Sequence, residues 1–299
     1  MNFTCRHTRI LCVCVVLLHA STSKVAGQES DAAPSAPGQE APSVNRVPGT
    51  VHGATSSSSS SRGTAARVGR SSATSSHPYT VSLRRRSDLG YFCAGVLVGN
   101  RHVLTAAHCV DSSTASTDSR PQVVVGSAYL SKTSGNGIQV ISTQNVFIHP
   151  DYRSRQFPDL AILELSSAAN QAPVRIPTST SFRPQLGNFL RSIGWGRTRR
   201  DSGFSDIAQV VQVDFIDRRR CIRKLGRFVT IHKICMGGDG GGSCQGDDGG
   251  PIVLPGDTRA DDVLVGIVGS FHVCGGSRPD VHTNIVPFIN WMKSTAGLP

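Results

Sequence analysis

Three short stretches of this sequence carry residue types suited to acid–base and acyl chemistry. In Leu104-Thr105-Ala106-Ala107-His108-Cys109 a histidine stands directly beside a cysteine, and a disulfide there would hold the imidazole's backbone rigidly. Asp159 heads the apolar run 160–165. A carboxylate so placed can receive an imidazole N–H and fix its tautomer. The third stretch is Cys244-Gln245-Gly246-Asp247-Asp248-Gly249-Gly250-Pro251. Glycines around one side chain let backbone N–H groups converge, and Gly246 with Asp248 would then form a nest for an oxyanion. Weaker signals, His149-Pro150-Asp151-Tyr152 and Gly194-Trp195-Gly196, lie between them.

These stretches need a scaffold, and the texture of the chain supplies one after Pro78. Runs rich in Val, Ile and Leu recur at 79–83, 92–98, 122–125, 138–142, 160–165, 209–213 and 263–268. Gly, Ser, Asp and Asn clusters separate them, which is the grammar of an antiparallel all-β domain. Only the end reads as helix. Pro287 suits a first helical turn, and Phe288, Trp291 and Met292 fall on one face that would dock on the body.

Ahead of that domain the chain changes character. The apolar run 10–18 follows Arg6 and Arg9 and precedes small residues, the order of a secretory signal peptide over residues 1–20, cut between 20 and 27. That run is far short of the roughly 20 residues that span a bilayer, so no integral membrane protein is expected. Residues 28–67 are Ser, Pro, Ala and Gly with scattered charge, too apolar-poor to offset their ordering entropy, and read as a disordered arm. Cys5, Cys12 and Cys14 leave with the leader. Cys93, Cys109, Cys221, Cys235, Cys244 and Cys274 remain, an even set that reads as disulfides in a secreted chain, with sequential pairing one of many connectivities. No mature Cys-x-x-Cys pair and no His-Glu-x-x-His occurs, so neither a metal nor another cofactor is expected.

The Thr-Ala-Ala-His-Cys and Gly-Asp-x-Gly-Gly-Pro blocks, in this order and spacing, resemble the trypsin/chymotrypsin family of serine proteases. The resemblance runs from about Arg67 to the C-terminus and makes residues 68–299 one protease-like domain. It implies two six-stranded antiparallel Greek-key barrels, closed by a C-terminal helix, with the active site in the cleft between them. It also implies the disulfides Cys93–Cys109, Cys221–Cys235 and Cys244–Cys274, and it makes His108 the base and Asp159 its orienting carboxylate.

Against that family the sequence departs at the position that matters most. Active members carry the nucleophilic serine where this chain has Asp248. Attack by a carboxylate on an amide would give a mixed anhydride far above the reactant, so the degenerate triad His108, Asp159 and Asp248 should not cleave peptides. Asp248 is expected to occupy the oxyanion nest or to pair with His108, leaving the imidazole between two carboxylates that favour its charged form. A second departure concerns the specificity pocket, where Gly269-Ser270-Phe271 replaces Ser-Trp-Gly. Phe271 should obstruct the mouth. Inside the pocket, Gly242 stands where basic-selecting relatives keep an aspartate, and Asp280, which replaces a glycine, could restore attraction for a basic group. The third departure is activation: cleavage after Arg67 would free a degraded Val68-Gly69 terminus to pair with Asp247.

Charge bounds the partners. Thirty-one Lys and Arg against twenty Asp and Glu give a formal charge of +11, which attracts anions. Basic groups cluster at 84–86, at Arg197, Arg199 and Arg200, and at Arg218–Arg220 with Arg223, Lys224 and Arg227. Without interleaved aromatics or a recognisable module, nucleic acid is not the expected ligand. An anionic polymer remains one. The spoiled nucleophile block, the cysteine-free arm and the segment Asp261-Asp262-Val263-Leu264-Val265-Gly266 look most like the glucanase inhibitor proteins secreted by filamentous plant pathogens. That likeness implies an extracellular protein partner, a host endo-β-1,3-glucanase. The rival expectations are an active secreted endopeptidase and a cationic polysaccharide binder.

Overall fold

The structure is a computed structural model that describes residues 70–71, 77–113, 118–153, 158–199, 201–238, 241–271, 274 and 276–299. The expected leader and arm, the activation site at Arg67 and the side chains of Ser270 and Phe271 lie outside what is described.

Two closed antiparallel barrels make up the domain. The first joins β2 (Thr80–Arg84), β3 (Tyr91–Gly99), β4 (His102–Thr105), β5 (Gln122–Val125), β6 (Gln139–Ile148) and β7 (Ala161–Leu165) in the order β2-β3-β4-β7-β6-β5. Val81, Leu83, Val96, Val103, Leu104, Ile162 and Leu163 are fully buried, and the adjacent pairs in β4 and β7 show that these strands are covered on both faces. β6 shows why the strand forms where it does: Ile141 and Thr143 point in while Val140, Ser142 and Gln144 point out, the period of a half-buried strand. Register shifts at Leu83/Arg84, Leu97/Gly99 and Thr143/Asn145 bend the sheet so that it can close.

The second barrel joins β8 (Phe189–Gly194), β9 (Gln209–Ile216), β10 (Lys233–Met236), β13 (Asp280–Asn284), β12 (Val263–Phe271) and β11 (Pro251–Leu254), and the β8–β9 pairing closes it. The short β1 (Arg70–Ser71) adds to β9 through Arg70 with Val210 and Ser71 with Gln209. Leu190, Ile234, Met236, Ile252, Val265 and Val268 fill this barrel.

Helix occurs inside the second barrel's connections as well as at the C-terminus. α1 (Arg218–Leu225) departs from the expectation that only the end is helical; its five basic residues hide a thin apolar side of Cys221, Ile222 and Leu225. The legible signal was Asp217, whose side chain caps the N–H groups of Arg219 and Arg220. α2 (Ile289–Ala296) follows a 3-10 turn over Val286–Phe288 that contains Pro287, and buries Ile289, Met292 and Ala296 against the first barrel. The ring of His149 packs edge-on to Phe288 at 5.1 Å and tilted to Trp291 at 4.8 Å between centroids. Three disulfides staple the domain: Cys93–Cys109, Cys221–Cys235 and Cys244–Cys274.

Candidate active site

Each barrel contributes half of a site at their junction. From the first barrel, a 3-10 turn over Ala107–Cys109 directly after β4 presents His108, and the Cys93–Cys109 bond ties that turn back to β3. Asp159, buried just ahead of β7, grips the histidine twice. Its Oδ1 accepts the backbone N–H of His108 at 2.9 Å, and its Oδ2 lies 2.7 Å from the ring Nδ1. The ring orientation is therefore fixed from both backbone and side chain, with Nε2 turned toward the second barrel.

The loop before β11 supplies the other half. Gly246 adopts φ +91° and Gly249 φ +77°, a left-handed backbone that glycine reaches without the Cβ penalty. Between them Asp248 places Oδ1 3.7 Å from His108 Nε2 and Oδ2 3.4 Å from the Gly246 N–H. A single carboxylate thus faces both the imidazole and the Gly246 amide. The loop is locked to the first barrel by the Ala94 N–H donating to Asp248 O at 2.8 Å. Asp247 turns the other way: its carboxylate accepts the Gly196 N–H at 2.8 Å and the Cys244 N–H at 2.9 Å.

Two neighbours were not singled out in the sequence. The hydroxyl of Tyr91 donates to Gly246 O, and burial together with the nearby Asp247 and Asp248 carboxylates pushes that hydroxyl well above its ordinary pKa. Phe204 packs edge-on against Tyr91 at 5.4 Å and lies so close to Gly246 that a Cβ there would meet its ring at 2.5 Å. Neither residue has a local sequence signal, since both reach the nest only through tertiary packing.

Beside this site, Asp280 at the start of β13 is buried and accepts the Ser243 N–H at 2.8 Å. Its Oδ2 would lie 2.1 Å from a Cβ on Gly242, so the carboxylate fills the space that a side chain at Gly242 would need. His282, two residues on and on the same face of β13, is fully buried with Nε2 4.0 Å from Asp280 Oδ2 and Nδ1 accepting the Gly269 N–H at 3.4 Å. Gly269, Ser270 and Phe271 end β12, where Phe271 pairs with Val281.

Could the histidine hold a metal? Cys93, His108 and Cys109 offer ligand atoms within 4.8 Å of one another. Both sulfurs are spent in a disulfide, so neither is a thiolate, and the trio does not suit zinc or another soft cation.

Two six-stranded barrels with a carboxylate-bound histidine facing a glycine-rich loop define a protein of the trypsin class. The chain belongs to the trypsin family, whose profile matches residues 66–292. It is 33% identical to trypsin 5G1 of Aedes aegypti, over 74% of this chain and 81% of that protein. It is 34% identical to glucanase inhibitor protein 3 of Phytophthora sojae, over 73% of this chain and 84% of that protein. Identity to chymotrypsin-like elastase family member 1 of Bos taurus is 31%, over 73% and 85%.

Proposed function

We propose that this protein is a secreted trypsin homologue that does not cleave peptides and acts by binding another protein. The observation that carries the reading is the Asp248 carboxylate, held between His108 Nε2 and the Gly246 N–H. Cleavage needs an alcohol at that point for the imidazole to deprotonate. Loss of the equivalent serine in subtilisin lowers kcat by about six decades, about 8 kcal/mol of barrier. A carboxylate adds two further obstacles. It puts negative charge where the tetrahedral intermediate develops its own, and with Asp159 it flanks His108 on both nitrogens, which favours an imidazolium that cannot accept a proton.

The protein partner follows from likeness. A relative named as a glucanase inhibitor supports a secreted endo-β-1,3-glucanase as the bound protein, with binding that blocks that enzyme. Its inhibition would spare β-glucan from digestion.

A fluorophosphonate probe tests the dead site, because labelling requires an activated serine. The wild-type chain stays unlabelled, while Asp248→Ser combined with Phe271→Gly becomes labelled, since His108 and Asp159 are already in register. Labelling of the wild type, or peptide hydrolysis by it at the rate of a digestive trypsin, overturns the reading. For the partner, the purified chain is mixed with plant extracellular fluid; capture of a glucanase with loss of its activity is the expected result.

A further inference from the structure

α1 concentrates positive charge more densely than any other described element. Arg218, Arg219, Arg220, Arg223 and Lys224 fill five of its eight positions, and all five are exposed. At 100° per residue, Arg219, Arg220, Arg223 and Lys224 share an arc of about 140°, and Arg219 and Lys224 stand about 7.5 Å apart along the axis. The opposite side, Cys221, Ile222 and Leu225, packs with Val229, Cys235 and Val281, and the Cys221–Cys235 bond fixes it to β10. The cationic side therefore cannot roll inward.

What distinguishes this cluster is that it is not neutralised at home. Arg84 is buried and donates to Ser82 Oγ and to the Leu89 and Leu130 carbonyls. Arg85 pairs with Asp88 at 2.9 Å and Arg86 with Asp118 at 3.5 Å. Around α1, among the described residues, the acidic partner is Asp217 alone, which caps two backbone N–H groups and reaches Arg220 at 3.4 Å. Arg227 extends the strip past the helix end.

The helix also borders a groove of about 310 Å³, where Phe182, Leu186 and Ile231 supply apolar lining and Arg183, Arg218 and Lys233 outnumber the single carboxylate, Asp217, among polar residues that include Gln185 and Asn284. Leu186 and Ile231 are exposed, as is Phe228, over which the Lys233 ammonium sits at 4.4 Å. Cations alternating with apolar and aromatic faces match a chain of sugar rings that carry anionic groups. The rings offer apolar faces, and the guanidinium forks pair with carboxylate or sulfate.

We infer that α1 and its neighbouring groove bind a linear anionic polysaccharide, independently of the cleft. A protein partner would need shape complementarity, which a row of long, exposed, like-charged side chains does not supply. A flexible polyanion needs only spaced charge, and its affinity is driven by released counterions.

The test uses the full chain on immobilised polygalacturonate and on dextran sulfate, with neutral β-glucan as the third matrix. Wild type is retained on one or both anionic matrices at 0.15 M salt, and which one it prefers separates carboxylate from sulfate recognition. R219A/R223A/K224A, with an unchanged circular-dichroism spectrum and melting point, binds at least tenfold more weakly and loses about two units of the log–log salt slope. R85A/R86A binds as wild type. Equal losses in both variants, unchanged binding in the α1 variant, or equal retention on neutral glucan would each overturn the assignment.

Discussion

His77 shows what a single buried side chain does to the whole domain's response to acid. Its ring is almost fully buried and packs edge-on to Tyr79 at 5.9 Å. Burial first, then Arg259 and Arg191, lowers its pKa from 6.5 to about 4. The unfolded chain therefore takes up a proton that the fold refuses. The contribution of His77 to stability is complete above about pH 6.5, falls as pH drops toward 4, and levels off below, a loss of about 3 kcal/mol from this group. Chemical denaturation of His77→Phe across that window should show a flatter decline than wild type. Close by, Tyr79 donates to Asp262 Oδ2 at 2.7 Å, and Asp262 is fully buried. Tyr79→Phe leaves that carboxylate short of a donor and should cost about 1–3 kcal/mol in urea melts. Neither group was legible as a cluster in the sequence, because Tyr79 and Asp262 meet across 183 positions. His108, Asp159 and Asp248 were legible, since each sits in a local motif whose spacing carries its role.

Length did not decide which strands were legible. β5, with four residues, matched its expected bounds through Val123–Val125, whereas β4, β8, β10, β11 and β13, of four to six residues, were not singled out. α1 was missed because an eight-residue helix with five cations shows too little apolar periodicity. The contact between barrels depends on elements that no pattern could join. At Gly249 a Cβ would fall 2.2 Å from Thr105 Oγ1 and 2.3 Å from Ala94 O, with φ at +77°. Gly249→Ala should therefore push the nest loop off the first barrel and destabilise by more than about 2 kcal/mol, which a thermal melt would detect. Cys221→Ser with Cys235→Ser opens a loop of 14 residues and should cost about 3 kcal/mol in the chain-entropy model, read from denaturant midpoints.

At the scale of the molecule, the family profile begins at residue 66, just before β1 reaches β9. A chain begun at residue 66 should melt within a few degrees of the full-length protein; a large drop would mean that the preceding segment belongs to the folded unit. No described helix is long and apolar enough to cross a membrane. The Cys221–Cys235 bond then acquires a mechanical meaning. A fibre tugging on α1 loads a covalent path into β10 of the second barrel, not a helix held by packing alone. Under tension the ionic grip is the weakest link, so the domain should slip off its anchor intact and rebind, like a brake pad and not a torn seam.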